Sequence, residues 1–182
     1  MGADILQAQR QHLANLLEAV QRCIYFLEAS STTFEWPLTE GFLLPNKKAA
    51  GVFEALSAIN ERFAKLQDTL GAAMRHGLLL AGENTDSFLA VLAAYEKFGV
   101  ISSIDSWQLC RAARNLAAHD YETDYRLIAA HFNTLHELRL VLYGVAFRFV
   151  DYCADQLKVS PASADFSQEF VQITSILRSV QA

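Results

Sequence analysis

The sequence predicts an all-α protein, arranged as an up-and-down four-helix bundle with additional N- and C-terminal helices. Hydrophobic residues make up 52% of the 182 positions and charged residues 19%, and the chain has 8 glycines and 3 prolines, which is typical of a globular protein. Apolar residues recur at helical spacing along most of the chain, and strand alternation is almost absent. Short breaks separate these segments, which favours antiparallel neighbouring helices.

The first two helices are separated by a connector. The first helix is predicted over residues 4–29, with Asp4 as its N-cap. The connector, residues 30–46, contains serines, threonines, a glycine and two prolines, which interrupt the helical pattern. A long helix follows, because its apolar residues are spaced alternately by four and three, as in a helix packed against antiparallel neighbours. These residues are Val52, Leu56, Ile59, Phe63, Leu66 and Leu70.

Capping signals delimit two further helices in the middle of the chain. The segment GENTDS, residues 82–87, ends the long helix and supplies a cap for a shorter helix that ends at Phe98, before Gly99. Ser103 or Asp105 then caps a helix that is predicted to run to about His119.

The last two helices also have start signals. An acid at position 120, 122 or 124 can cap a long helix from about Thr123 to Leu157. A Ser/Pro turn then precedes an amphipathic helix over about 165–180. The length of the chain favours a single helical domain over residues 1–182.

Charge and cysteine content restrict the class of protein. A formal charge of −5 gives no general attraction to nucleic acid or to an anionic membrane, so any phosphate binding must be local. Cys23, Cys110 and Cys153 are far apart and form no CxxC pair, which argues against a disulfide framework and a zinc site. The longest apolar segment is interrupted by charges and is too short to span a membrane. We therefore expect a cytoplasmic protein with no membrane association and no metal.

The predicted helix over about 105–119 carries a polar stripe. Arg111, Asn115 and His119 are spaced by four, which places them on one face. Arg114 lies about 100° from Asn115 and about 140° from His119 around an ideal helix. Arg114 and His119 would therefore act on one phosphate only if the helix frays near His119 or if two copies of the chain meet across a twofold axis.

The spacing of Arg114 and His119 is weak evidence by itself, because Arg126 and His131 have the same spacing. That second pair serves as an internal control, and its histidine shares the spacing of the apolar residues that follow it, which favours a core or interface role. The first pair is distinguished by two more residues, Asn115 and Tyr121. Together they give the pattern R-N-x-x-x-H-x-Y.

This pattern, on a helix of a small bundle, resembles the HEPN superfamily, and within it the HepT-like partners of minimal nucleotidyltransferases. The stretches LQDTLGAAM and YEKFGVISSIDSW upstream are similar to the bundle of that family. The resemblance covers about residues 55–145, and the termini extend beyond it. It implies a metal-independent endoribonuclease, the toxin of a toxin–antitoxin pair, which acts as a homodimer with a composite active site and needs no cofactor.

The resemblance also implies roles for the motif residues. Arg114 and His119 would be catalytic, with Asn115 orienting the imidazole and Arg111 making a supporting contact to RNA phosphate. DNA is not expected to be a substrate, because the reaction needs a 2′-hydroxyl. Tyr121 occupies the position at which the nucleotidyltransferase antitoxin attaches AMP.

Two other functions remain open from the sequence. One is a non-catalytic subunit that docks a nucleotidyltransferase and binds nucleotide through the same cleft, and the other is a bundle that only mediates assembly. The local charge balance does not decide between them, since four acids and three arginines lie between Asp105 and Arg126.

Overall fold

A computed structural model of the chain describes residues 2–116 and 123–179. Over these ranges every regular secondary-structure element is helical and there is no strand, so the predicted all-α class is confirmed for them. The α-helices are α1 (Gly2–Ser31), α2 (Glu40–Leu43), α3 (Ala50–Ala81), α4 (Phe88–Lys97), α5 (Ile104–Leu116), α6 (Tyr125–Tyr152) and α7 (Ser167–Ser179). A π-helical turn, Cys153–Leu157, follows α6.

Helices α4, α5 and α6 start at capping residues of the sequence. Helix α1 instead begins at Gly2, so Asp4, its predicted N-cap, lies within the first turn, where an acid still favours the positive helix N-terminus. The Ser87 hydroxyl accepts a hydrogen bond from the backbone N–H of Ala90 at 3.1 Å, which caps α4. Asp124 accepts from two N–H groups in the first turn of α6, at 2.9 and 3.3 Å. Ser103 rather than Asp105 caps α5, because its hydroxyl accepts from the N–H of Ser106 at 3.0 Å. The expected end of α5 near His119 lies outside the described residues.

The core is formed mainly where α1 packs along α3 and where α6 contacts α1, α3, α5 and α7. Trp107 is 2% exposed and belongs to this core. No helix in the part of the chain that the structure describes is long and apolar enough to cross a membrane. Fully buried members of the core include Leu17, Ile24, Phe63, Leu70, Met74, Leu142 and Phe149.

The connector, predicted over residues 30–46, begins only after Ser31, where α1 ends, and continues to the start of α3; it is folded against α6 and includes α2. The indole of Trp36 stacks on the imidazole of His136, with the ring centroids 4.0 Å apart and an interplanar angle of 18°. The side-chain amide of Asn133 accepts from the backbone N–H of Leu38 at 2.7 Å and donates to its carbonyl at 2.9 Å. A small second core lies beneath the connector and consists of Leu38, Leu43, Leu56 and Ala129 with partly buried neighbours.

A polar network ties α1 to α6 beside this stack. Glu28 accepts hydrogen bonds from Arg139 Nε at 3.2 Å and from the Tyr143 hydroxyl at 3.1 Å. Burial and the charge of Arg139 lower the pKa of His136 to about 4, although the Glu28 carboxylate acts in the opposite direction. His136 is therefore neutral at physiological pH, and its ring packs as an apolar group against Trp36.

The lowered pKa of His136 predicts an acid sensitivity. The unfolded chain binds a proton at this residue near its ordinary pKa of about 6.5, whereas the folded chain binds it only near pH 4. The stability that the fold gains by burying neutral His136 is thus fully present above pH 6.5 and is lost as the pH falls towards 4. We expect the unfolding free energy of the wild type, relative to that of His136→Phe, to decrease as the pH falls from 6.5 to 4. Urea denaturation of both proteins measures this difference. A proton NMR titration that finds an ordinary imidazole pKa for His136 would contradict this expectation.

Candidate functional site

A cleft of about 480 Å³ lies between α3 and α5. Its volume falls within the range of about 300–1,000 Å³ that is typical of small-molecule sites. We call it the α3–α5 cleft. Its lining consists of Gln67, Asp68, Gly71, Ala72, Arg75, Phe88, Trp107, Arg111 and Arg114.

Helical spacing brings the charged side chains to this cleft. On α3, Asp68 and Arg75 are seven residues apart, or about two turns, so they lie on the same side of the helix. On α5, Arg111 and Arg114 are three residues apart and are neighbours on its surface. Three arginines and one carboxylate thus line the cleft, which therefore has an excess of positive charge.

The three arginines differ in how they are held. Arg114 forms an ion pair with Asp68, in which the arginine side chain is 26% exposed and the aspartate side chain 62%. Arg75 donates from Nη2 to the carbonyl oxygen of Thr85 at 2.8 Å, which positions the guanidinium without neutralising its charge. Arg111 is exposed, and its side chain makes no hydrogen bond to the rest of residues 2–116 or 123–179. Arg111 is therefore the cation most accessible to an incoming anion.

The remaining lining is apolar. The rings of Phe88 and Trp107 are 5.9 Å apart and inclined at 50°. Gly71 allows Phe88 to approach α3 closely, because a Cβ atom at that position would lie 3.2 Å from the phenyl ring. The cleft therefore combines an apolar wall with cationic side chains, the combination that a flat base linked to a phosphate requires.

Gln67 is the buried polar residue of the cleft. It is 3% exposed, and its Nε2 donates to the carbonyl oxygen of Trp107 at 3.1 Å. Its Oε1 is buried and has no hydrogen-bond partner within the described ranges. Since a flipped amide would place its oxygen against the Trp107 carbonyl oxygen, the contact identifies Oε1 as the unsatisfied atom.

The structure brings together two of the five residues that the sequence predicts for the site. Arg111 and Arg114 both line the cleft. Asn115 is exposed and is not part of the lining. Around an ideal helix, Arg114 lies about 60° from Arg111 in one direction and Asn115 about 40° from Arg111 in the other. A cleft on the Arg114 side of the helix therefore excludes Asn115. His119 and Tyr121 lie outside the described residues.

The residues that α3 contributes to the cleft are not among those predicted from the sequence. Gln67 follows Phe63 by four positions and precedes Leu70 by three, so it interrupts the apolar face of α3. A polar residue at such a core position is a signal that could have identified it. Nothing in the sequence pairs Asp68 with Arg114, which lies 46 positions further along the chain.

Metal and thiol chemistry find no support in the part of the chain that is described. It contains no cluster of three or more histidine, cysteine or carboxylate side chains that could hold a metal ion. Burial raises the pKa of Cys110 to about 12 and that of Cys153 well above its ordinary value. Both thiols therefore stay protonated and unreactive at neutral pH.

Comparison with known proteins gives no relative. No family profile, no curated protein sequence and no solved structure matches the chain. Inference of a function therefore depends on the motif around Arg114 and on the geometry of the α3–α5 cleft.

Proposed function

We propose that the protein is a metal-independent endoribonuclease of the HEPN type, with the α3–α5 cleft binding the phosphate backbone of RNA. One observation carries the proposal: Arg114 of the sequence motif and Arg111, predicted as its supporting phosphate contact, line the same positively charged cleft. The proposal includes the fold of that superfamily, an up-and-down four-helix bundle with its core over about residues 55–145.

The proposed reaction is an internal transesterification. The 2′-hydroxyl oxygen attacks the adjacent phosphorus, the 5′-oxygen of the next nucleotide leaves, and the products are a 2′,3′-cyclic phosphate and a 5′-hydroxyl. His119 removes the 2′-hydroxyl proton or protonates the leaving oxygen, because imidazole titrates near neutral pH. The planar guanidinium of Arg114 binds two phosphate oxygens and stabilises the charge that grows on the pentavalent phosphorus.

Asp68 competes with RNA for Arg114. Exposed ion pairs contribute only about 0 to 1 kcal/mol, so an incoming phosphate can displace the carboxylate from the guanidinium. Arg111, which has no such competitor among the described residues, would make the first contact. Binding then transfers Arg114 from Asp68 to the substrate.

Removing the Asp68 charge is expected to tighten anion binding. We expect Asp68→Asn to bind a non-cleavable 2′-O-methyl RNA about threefold to tenfold more tightly at low salt, because Arg114 is freed and one repulsive charge is lost. Fluorescence anisotropy measures this affinity. Glu61→Gln is the matched control, since Glu61 is an exposed acid of α3 outside the cleft. An equal effect of both substitutions would attribute the gain to net charge and not to the ion pair.

The proposal includes a homodimer and a partner. Two copies of the chain would contribute His119 and Arg114 to one composite site, consistent with the angular separation of these residues on an ideal helix. The partner would be a minimal nucleotidyltransferase that attaches AMP to Tyr121. The added phosphate would compete for the cationic cleft and silence it, which is the action of an antitoxin.

The test is cleavage of a mixed RNA pool in EDTA by protein whose intact mass excludes AMP on Tyr121. We expect cleavage of RNA with 2′,3′-cyclic phosphate ends, and no cleavage of DNA of the same sequence. The His119→Ala protein controls for contaminating ribonuclease. If the unmodified wild type leaves every RNA intact, the ribonuclease proposal is wrong.

A second candidate function is a non-catalytic subunit that docks a nucleotidyltransferase and binds nucleotide. The Arg114–Asp68 ion pair favours it, because the proposed catalytic cation is already neutralised in the free protein. Two results together would select this function. The wild-type protein would cleave no RNA, and the His119→Ala variant would co-purify with the nucleotidyltransferase as well as the wild type does.

A further inference from the structure

The unsatisfied oxygen of Gln67 points to a ligand. A buried acceptor without a partner destabilises the folded protein, and a ligand that donates a hydrogen bond to it removes that cost. Gln67 lies within the apolar seam of α3, where a leucine would pack without that cost. Gln67 lines the cleft, and because its Nε2 already donates to the Trp107 carbonyl, the buried acceptor Oε1 is the atom of this side chain left without a partner.

The surroundings of Gln67 restrict the ligand to a molecule with three properties. The Phe88 and Trp107 rings with Gly71 require an apolar, flat group, and Arg111 with Arg114 requires an anion. The Gln67 oxygen requires a hydrogen-bond donor on the flat group. A nucleotide of adenine or cytosine has all three, because these bases carry an amino group where guanine and uracil carry the O6 or O4 carbonyl oxygen.

We propose that the α3–α5 cleft is a base-reading nucleotide pocket in which Gln67 Oε1 accepts a hydrogen bond from the amino group of adenine or cytosine while Arg111 and Arg114 hold the phosphate. This inference rests on the proposed ribonuclease function and adds the class of nucleotide that the cleft prefers. Uracil is disfavoured because it presents a carbonyl oxygen where cytosine presents its amino group, and two acceptors would then face each other.

Binding of matched nucleotides tests the inference on the wild-type protein. The first pair is AMP and purine riboside 5′-monophosphate, which differ only in the amino group, and the second is CMP and UMP. Titration calorimetry at low salt gives the dissociation constants. We expect the amino-bearing member of at least one pair to bind about tenfold more tightly, which corresponds to one hydrogen bond in a desolvated site. Equal affinities within both pairs would overturn the inference.

Variants then assign the preference to Gln67. In Gln67→Leu we expect the affinity for the preferred nucleotide to fall to that of its amino-lacking counterpart, whose affinity stays unchanged. Gln21→Leu is the matched control, because Gln21 is also a 3% exposed glutamine and its Oε1 accepts from Ser167, far from the cleft. A parallel loss for all four nucleotides in Gln67→Leu would mean that Gln67 only anchors α5 to α3.

The outcome is separable from that of the ribonuclease proposal. RNA cleavage without discrimination between the matched nucleotides would overturn the pocket and leave the ribonuclease standing. Discrimination that depends on Gln67, in a protein that cleaves no RNA, would support the pocket and overturn the ribonuclease.

Discussion

Alanine at His119 or Arg114 is expected to remove most of the RNA cleavage activity of the unmodified protein. General acid–base catalysis contributes about 10²- to 10⁴-fold to a rate, so His119→Ala should lower kcat by that factor. Loss of one preorganised group that stabilises transition-state charge costs about 10²- to 10³-fold in kcat, and this is the effect we expect for Arg114→Ala. Arg114 also holds the substrate phosphate once RNA displaces Asp68, so KM should rise as well in Arg114→Ala.

Two other arginines provide the controls for Arg114. Arg111→Ala should raise KM and leave kcat nearly unchanged, since its exposed guanidinium binds the phosphate backbone without acting in the transition state. Arg126 precedes His131 by the same five positions and is also paired with an aspartate, Asp124, at 3.5 Å. Arg126→Ala should retain full activity. Equal losses in the Arg114 and Arg126 variants would remove the distinction on which the assignment depends.

Alanine at Gly77 is expected to destabilise the fold by about 1–4 kcal/mol. A Cβ at this position would lie 2.8 Å from the Tyr95 hydroxyl oxygen and 3.4 Å from the Phe149 ring. Tyr95 is fully buried and donates to the carbonyl oxygen of Met74 at 2.9 Å, so the added methyl group displaces a buried hydrogen bond. Overpacking costs about 1–3 kcal/mol and a lost buried hydrogen bond about 1–2 kcal/mol, against about 1 kcal/mol gained in helix propensity.

Gly51 is the matched control for Gly77, because it lies on the same helix and a Cβ added there would meet no described atom within 4 Å. Gly51→Ala should be neutral or stabilise by up to about 1 kcal/mol, measured like Gly77→Ala by urea denaturation. Removing the Tyr95 hydroxyl in the Gly77→Ala background should recover part of the lost stability. If Gly77→Ala and Gly51→Ala have the same effect, the close contact with Tyr95 is not what limits residue 77.

The helices were predictable because their signals are local. Ser87 and Asp124 cap helices through atoms two or three residues away, and Gly82, with φ of 75°, ends α3 in a conformation that favours glycine. The predicted helix end at Leu157 agrees with the end of the helical backbone, but the last five residues form a π-helical turn after α6, which apolar spacing does not distinguish from an α-helix.

The site was only half predictable, because its α3 wall depends on which helices pack together. Arg114 belongs to a sequence motif and Arg111 lies one turn before it on the same helix. Gln67 and Asp68, in contrast, reach the cleft through contacts to Trp107 and Arg114 across 40 and 46 positions. No spacing rule within one helix specifies such a contact. The role of the connector was open for the same reason, since its partners lie on α6.

The hydrogen bonds between Asn133 and Leu38 engage the main chain of the connector and not its side chains. One amide group meets both the N–H and the carbonyl of a single residue, as a neighbouring peptide group would. These two bonds therefore do not depend on which side chain residue 38 carries, whereas Trp36 and Leu43 of the connector pack through their side chains. The hydrogen bonds constrain position 133 instead, where aspartate would lose the donor and only asparagine, among residues of that size, supplies both a donor and an acceptor.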